Sequence, residues 1–249
     1  MPLTLTRRAS LPGLFIAGTD TDVGKTVIAA AIARWFAVRK KTVAVLKPVA
    51  SGCVRRREGL VSEDAELLAA ASDTRHPLDL ICPNRYVEPL APHVAALREK
   101  RPMDWDAVQR SIDIMSRGAD VMIVEGAGGV MVPLDEHTLV RDVIVALGYS
   151  VIVVARPGLG TINHTLLTIE SLRNAGAHVA GVVINRYPTD TPGVAEETNP
   201  AQIQRIGQTP VLCLTPDEPF TPPHLPPGIT NAIAQVDWES VMKLPVASG

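Results

Sequence analysis

The residues best equipped for chemistry are Lys25 and Thr26, which close the run G-T-D-T-D-V-G-K-T from Gly18 to Thr26. An ammonium at that place can neutralise β- and γ-phosphate oxygens, and the hydroxyl beside it can ligate Mg²⁺. A glycine-bearing turn lets backbone N–H groups converge on phosphate oxygens, and a helix starting there adds partial positive charge. The flanking sequence meets that need. Leu14-Phe15-Ile16-Ala17 reads as a buried parallel strand, and Val27 to Val38 reads as the helix that follows. Strand, phosphate loop, helix: the pattern implies a nucleoside triphosphate ligand.

Five residues separate Gly18 from Gly24, one more than in the common phosphate loop. Thr19 can stand where the first glycine usually does if its φ is negative. The longer loop points to a subgroup of P-loop proteins, away from ordinary GTPases and kinases. Asp20, Thr21 and Asp22 crowd it with short polar side chains, which suits a second ligand beside the phosphates.

Further candidates stand at the ends of other apolar runs. Lys47 follows Val43-Ala44-Val45-Leu46 and precedes Pro48, which bars helix continuation, so its side chain is expected in a cleft. There it can stabilise charge developing between a substrate and the γ-phosphate; a solvated strand-end lysine is the plain alternative. Glu125 closes Val121-Met122-Ile123-Val124 and opens Gly126-Ala127-Gly128-Gly129, the Walker-B arrangement for a carboxylate on Mg²⁺ although aspartate is commoner there, with glycines that admit close approach of a ligand; a helix-capping role is the plain alternative. Asp64 by itself is a helix-start charge favoured by the dipole. Gly158 to His164 carries two glycines into a helix, giving either a second anion site or a structural cap. Asn185 ends Val182-Val183-Ile184, where its amide can read a purine edge. His164 reads as a helix-surface or interface residue, and His93 has no acid or nucleophile beside it.

The elements that must hold these residues alternate. Strand-like runs at Thr42–Leu46, Val121–Val124, Val151–Ala155, Val179–Ile184 and Val211–Leu214 are separated by helical patterns at Val27–Arg39, Trp105–Arg117, Arg141–Leu147 and Asn163–Ala175. The fold class expected is α/β: a mostly parallel, doubly wound sheet in three layers, with ligands beyond the carboxyl ends of the strands. Hydrophobic content of 46% with 4% aromatics means an aliphatic core, as such sheets require. The 249 residues suit one domain, 1–249, with 1–12 a flexible tail. Residues 52–104, including a short helix at Glu63–Ala71, form an insertion over the site, and 216–228, with six prolines, an extended surface strap.

A formal net charge of −2 argues against bulk nucleic-acid binding. Arg55-Arg56-Arg57 reads as a solvated loop. Cys53, Cys82 and Cys213 lack disulfide or zinc spacing, so a reducing cytoplasm is expected. No segment has the ~20 apolar residues needed to span a bilayer. Arg7 and Arg8 before an apolar stretch mimic a secretion signal, but cleavage there would destroy the phosphate loop.

Taken in order, G-T-D-T-D-V-G-K-T, K-P-V-A-S-G, E-D-A, E-P-L-A-P-H, V-E-G-A-G-G and G-L-G-T-I-N-H resemble the dethiobiotin synthetases over Leu14 to Pro188. The interval from Lys47 to Asp64 also fits that family. The resemblance implies a homodimeric ligase that closes the ureido ring of dethiobiotin from 7,8-diaminononanoate, CO₂ or bicarbonate, and ATP with Mg²⁺. It implies that Asp22, Val23, Gly24, Lys25, Thr26 and Val27 wrap the phosphates, and that Thr26, Asp64 and Glu125 hold Mg²⁺ beside Gly126, Ala127 and Gly128. Lys47 would stabilise the carbamate and the phosphoryl transition state, with Thr21 and Ser51 on the diamine or carbamate. Asn185 and Arg186 would meet the adenine side of the nucleotide, as would Pro216, Asp217 and Glu218. Gly160, Thr161, Ile162 and Asn163 would take the distal carboxylate of a substrate bound to the neighbouring subunit. Asp22 stands where relatives often carry glutamate, Glu63 where a serine is common, and Thr215 to Glu218 match the family's adenine loop poorly.

Two other classes share the phosphate loop. A partition or division-site switch usually has a second lysine early in the loop, where this chain has only Lys25, and the tail Leu244 to Gly249 is no basic amphipathic anchor. An amide-forming ligase acting on corrinoid precursors needs an ammonia-producing domain, for which the chain has no room.

Overall fold

The structure, a computed structural model, describes residues 5–6, 11–57 and 59–242. The chain opens with β1 (Gly13–Gly18), α1 (Lys25–Ala37) and β2 (Val43–Leu46). The next segment holds β3 (Val49–Ala50), β4 (Val54–Arg56), β5 (Gly59–Val61), α2 (Glu63–Ser72), α3 (Leu78–Ile81), β6 (Asn84–Arg85) and α4 (Pro92–Glu99). Then follow α5 (Trp105–Met115), β7 (Val121–Glu125), α6 (Val140–Leu147), β8 (Ser150–Ala155), α7 (Thr161–Asn174) and β9 (Val179–Tyr187). The order ends with α8 (Val194–Gly207), β10 (Val211–Pro216), α9 (Pro227–Ala234) and α10 (Trp238–Val241).

Six parallel strands make the main sheet in the order β10-β9-β8-β1-β7-β2. From β1 the chain first moves outward to β2, returns to β7, and then builds β8, β9 and β10 on the other side. A switch point therefore lies at β1, where α/β sheets open a crevice beyond their carboxyl ends. The right-handed rule for such crossovers, applied in opposite directions from β1, assigns α1 to one face and α7 to the other. α1 packs with α2 and α9, and α7 packs with α8, giving the three layers expected.

Every residue of β1, β2, β7 and β8 is buried, as strands covered on both faces must be. α1 buries Ile28 to Ala33 without a break, because the small alanines let β1, α2 and α9 approach from several sides. Truncating its Phe36, 1% exposed, would cost about 3–5 kcal/mol.

Four features depart from or extend the sequence reading. α8 was not expected, because Pro200 lies inside it and only Asn199, Ile203 and Gly207 are buried. α9 and α10 were also missed; Trp238, fully buried, anchors them by donating its indole N–H to the Ile233 carbonyl at 2.8 Å. The strap at 216–228 leaves β10, turns through a Thr221–His224 bridge and runs into α9, so Pro227 and Gly228 are helical. Part of the expected tail lies outside the described residues. Of the rest, Leu5 and Leu11 are buried, and the backbone of Thr6 pairs with the Gln109 side chain.

Candidate active site

The loop after β1 turns through two left-handed residues, Asp22 (φ 57°) and Gly24 (φ 92°). Aspartate tolerates that conformation better than most residues. Gly24 is obligatory for a second reason: a Cβ there would lie 2.0 Å from Asn185 Nδ2. Thr19 is absent from the positive-φ residues, as its place in the longer loop requires, and its N–H donates to the Val154 carbonyl. Lys25 opens α1, and its ammonium bends back to donate to the Asp20 carbonyl at 2.8 Å. Burial lowers its pKa to about 8, against the opposing pull of Glu125.

Lys47 stands just beyond β2 and is nearly excluded from solvent. Its backbone N–H donates to the Ile81 carbonyl at 2.7 Å, and Asn84 Nδ2 donates to the Pro48 carbonyl at 3.1 Å. β3 then pairs with β6. The 52–104 segment thus holds the backbone at Lys47 and just after it. It also supplies Asp64, on the first turn of α2, which Ser62 caps by accepting from the Ala65 N–H.

Lys47 Nζ lies 2.6 Å from Glu125 Oε1 and 2.8 Å from Asp64 Oδ2. Burial works to lower the lysine pKa, but the two carboxylates outweigh it and hold the ammonium above its ordinary range. Asp64, opposed by its own burial, is held below the usual carboxylate range by Lys47. Glu125 is pushed up by burial. Thr26 donates its hydroxyl to Glu125 Oε1 at 2.8 Å, while Glu125 Oε2 is buried with no hydrogen-bond partner among the described residues. An orphaned buried carboxylate oxygen beside a hydroxyl and a second carboxylate is the donor set of a hard divalent cation, so the residues fit Mg²⁺.

These groups face one cavity of about 370 Å³. Of the residues expected at the site, Thr21, Asp22, Gly24, Lys25, Thr26, Val27, Lys47, Ser51, Asp64, Glu125, Ala127, Gly128 and Arg186 line it. Val23 is buried behind the loop, and Gly126 sits at the end of β7 against Phe15. An adjoining cavity of about 420 Å³ is bordered by Asn185, Arg186, Pro216, Asp217 and Glu218. Gly24, Val27, Arg186 and Phe220 border both, so the two spaces are neighbours. Gly160, Thr161, Ile162 and Asn163 border neither; they form the start of α7, with Gly160 left-handed at φ 92°.

Four residues contribute in ways the sequence reading did not assign. Arg156, just past β8, donates to the Thr21 carbonyl at 3.0 Å and reaches Asp20 Oδ2 at 3.3 Å. It stands at a carboxyl strand end, the one signal that could have found it. Phe220 and Pro222 of the strap wall the cavity. Thr215, from β10, donates to Asn185 Oδ1.

A family model described as an AAA domain matches residues 12–223. The protein named ATP-dependent dethiobiotin synthetase BioD of Anaeromyxobacter dehalogenans (strain 2CP-1 / ATCC BAA-258) is 43% identical over 208 residues, 83% of this chain and 91% of that one. Its counterpart in Bacillus subtilis (strain 168) is 41% identical over 204 residues, 82% and 87% of the two chains. This chain belongs to the dethiobiotin synthetases. The synthetase from Thermodesulfovibrio yellowstonii is 38% identical over 211 residues, 82% of this chain and 88% of that one. As a family member the chain is an ATP-dependent ligase of dethiobiotin synthesis. Solved structures extend the likeness of fold alone: the MinD cell division protein of Aquifex aeolicus superposes with a TM-score of 0.57 over 94% of this chain and 99% of its own, at 15% identity. Among the described residues, no helix of this synthetase is long and apolar enough to cross a membrane.

Proposed function

We propose that this synthetase forms the ureido ring through a carbamate and a carbamic–phosphoric anhydride. One amine of 7,8-diaminononanoate adds to CO₂ and loses a proton. A carbamate oxygen then attacks the γ-phosphorus of ATP and ADP departs. The second amine attacks the carbamoyl carbon, phosphate leaves with the oxygen that had joined carbon to phosphorus, and loss of a proton closes the ring.

The difficulty is bringing two anions into contact, and the residues answer it. Lys25 and the loop N–H groups receive the triphosphate, and Lys47 meets the carbamate and the charge developing on the transferred phosphoryl group. Thr21 and Ser51 line the same space and orient the diamine. Mg²⁺, when bound through Thr26, Asp64 and Glu125, supplies charge neutralisation on the phosphates. Arg186, Asn185 and residues 216–218 border the space that takes the nucleoside. The observation that carries the reading is the convergence of Lys25, Thr26, Lys47, Asp64 and Glu125 on one cavity.

The start of α7 lies outside that cavity, which favours a homodimer in which it serves the partner's substrate. Leu159, 97% exposed, lies beside it, and Leu167 and Met131 expose further apolar surface on and against α7. The free thiols of Cys53, Cys82 and Cys213 favour a cytoplasmic setting; the small net charge favours small-molecule partners over nucleic acid. The test is phosphate release from ATP with diaminononanoate and bicarbonate each omitted in turn. The reading requires both; release indifferent to them would mean a nucleotide switch.

A further inference from the structure

The amide of Asn185 lies 3% exposed beneath the phosphate loop, with both ends engaged. Its Nδ2 donates to the Val23 carbonyl at 2.9 Å, and its Oδ1 accepts from the Thr215 hydroxyl at 2.7 Å. The orientation is forced by chemistry. A carbonyl only accepts, so the NH₂ end must face Val23, and the hydroxyl of Thr215 must donate to what remains. Thr215 itself has no solvent exposure.

Backbone geometry aims the amide. Between Ile184 and Tyr187, β9 takes three residue steps where β10 takes two, from Leu214 to Pro216. The extra residue makes a bulge at Asn185-Arg186, and Arg186 adopts φ 58°. Bulges of this kind redirect side chains beside functional sites. Here one turns Asn185 under the loop and leaves Arg186 bordering both cavities.

The Val23–Gly24 peptide is planar and trans, so its C=O and N–H point in opposite directions. With the carbonyl turned to Asn185, the Gly24 N–H points away from that amide, and Gly24 itself lines the cavity. We propose that Thr215 and Asn185 are positioning residues for phosphate binding: the hydroxyl fixes the amide, the amide fixes the Val23 carbonyl, and the Gly24 N–H is thereby presented to the triphosphate. The inference rests on the loop's being the phosphate cradle, and it gives Asn185 a task beyond any contact with the base. Thr215 would act without touching a ligand.

Inorganic tripolyphosphate, which has no base, separates the two tasks. Thr215→Val keeps the side-chain volume but removes the donor, and Thr215→Ser keeps the donor. Calorimetric titration should show tripolyphosphate binding weakened about tenfold in Thr215→Val, ATP binding weakened at least as much, and both near wild type in Thr215→Ser. Circular dichroism controls for folding. If Thr215→Val does not fold, Asn185→Asp sets an oxygen against the Val23 carbonyl and should produce the same loss. Unchanged tripolyphosphate affinity in the folded variant would overturn the proposal, whether or not ATP binding falls. Failure of the wild-type protein to bind tripolyphosphate would instead overturn the cradle reading itself.

Discussion

Lys47 and Glu125 meet at 2.6 Å with both side chains nearly removed from solvent, and Asp64 completes the contact from the open side. The same carboxylates are the ones suited to a divalent cation. In the proposed reaction the ammonium is thus held where carbamate and γ-phosphate would meet, by groups that a metal can draw upon. Removing one partner of a buried pair strands the other, which costs more than the pair contributes.

Lys47→Ala is therefore expected to do two separable things. Ring closure is abolished, while ATP affinity stays within about tenfold because Lys25 and the loop amides remain. Without Mg²⁺ the variant loses about 3–5 kcal/mol of stability, since Glu125 is left buried and uncompensated. Added Mg²⁺ should recover part of it, raising the melting temperature more than in wild type. Titration calorimetry and melting curves check both; equal loss of nucleotide binding and turnover would contradict the assigned role.

Glu125→Gln keeps the shape and the contact with Thr26 but removes the charge. The Mg²⁺ concentration for half-maximal activity should rise by about tenfold or more, with nucleotide binding in the absence of metal little changed. A magnesium titration of initial rates measures it, and an unchanged midpoint would remove Glu125 from the ligand set.

Arg156→Ala should have a milder, selective effect. Its ion pair with Asp20 is half exposed and worth at most about 1 kcal/mol, so the consequence comes through the Thr21 carbonyl it holds. The KM for diaminononanoate is expected to rise about three- to fivefold while the KM for ATP moves less than twofold. Initial-rate kinetics with each substrate varied would reveal the split, and equal change in both would assign Arg156 to the whole loop.

Much of this was legible in sequence, for a simple reason. Parallel strands are buried on both faces, so they read as unbroken apolar runs, and the polar residue that ends each run enters the crevice. Lys47, Glu125 and the Gly18–Thr26 loop follow directly. α8 did not, because Pro200 and a largely exposed helix hide its period, although parallel β9 and β10 demand a crossover between them. Asn185 illustrates a second limit. Its strand-end place was visible, but the β9 bulge that turns its amide onto Val23, and the Thr215 that fixes it, depend on register between strands 30 residues apart. The start of α7 is a third case: it borders neither cavity, and its proposed role depends on a partner subunit.

That last point has its own test in subunit complementation. Asn163→Glu places a carboxylate at the proposed carboxylate site, and Lys47→Ala removes the reactive ammonium. Each homodimer should be nearly inactive. Reassociated in equal amounts, they should recover about a quarter of wild-type activity, because half the dimers carry one intact site in two. Absence of recovery, with exchange of subunits verified by mass, would place each site within a single chain.

The most direct measurement follows one oxygen atom. In the proposed path a carbamate oxygen joins carbon to phosphorus and leaves with the phosphate. ¹⁸O-labelled CO₂, mixed rapidly with enzyme, diaminononanoate and ATP, should therefore deliver one labelled oxygen to each phosphate released, as read by mass spectrometry in the first turnovers. Phosphate free of label would mean that carbamate and γ-phosphate never bonded, and the juxtaposition built around Lys47 would lose its purpose.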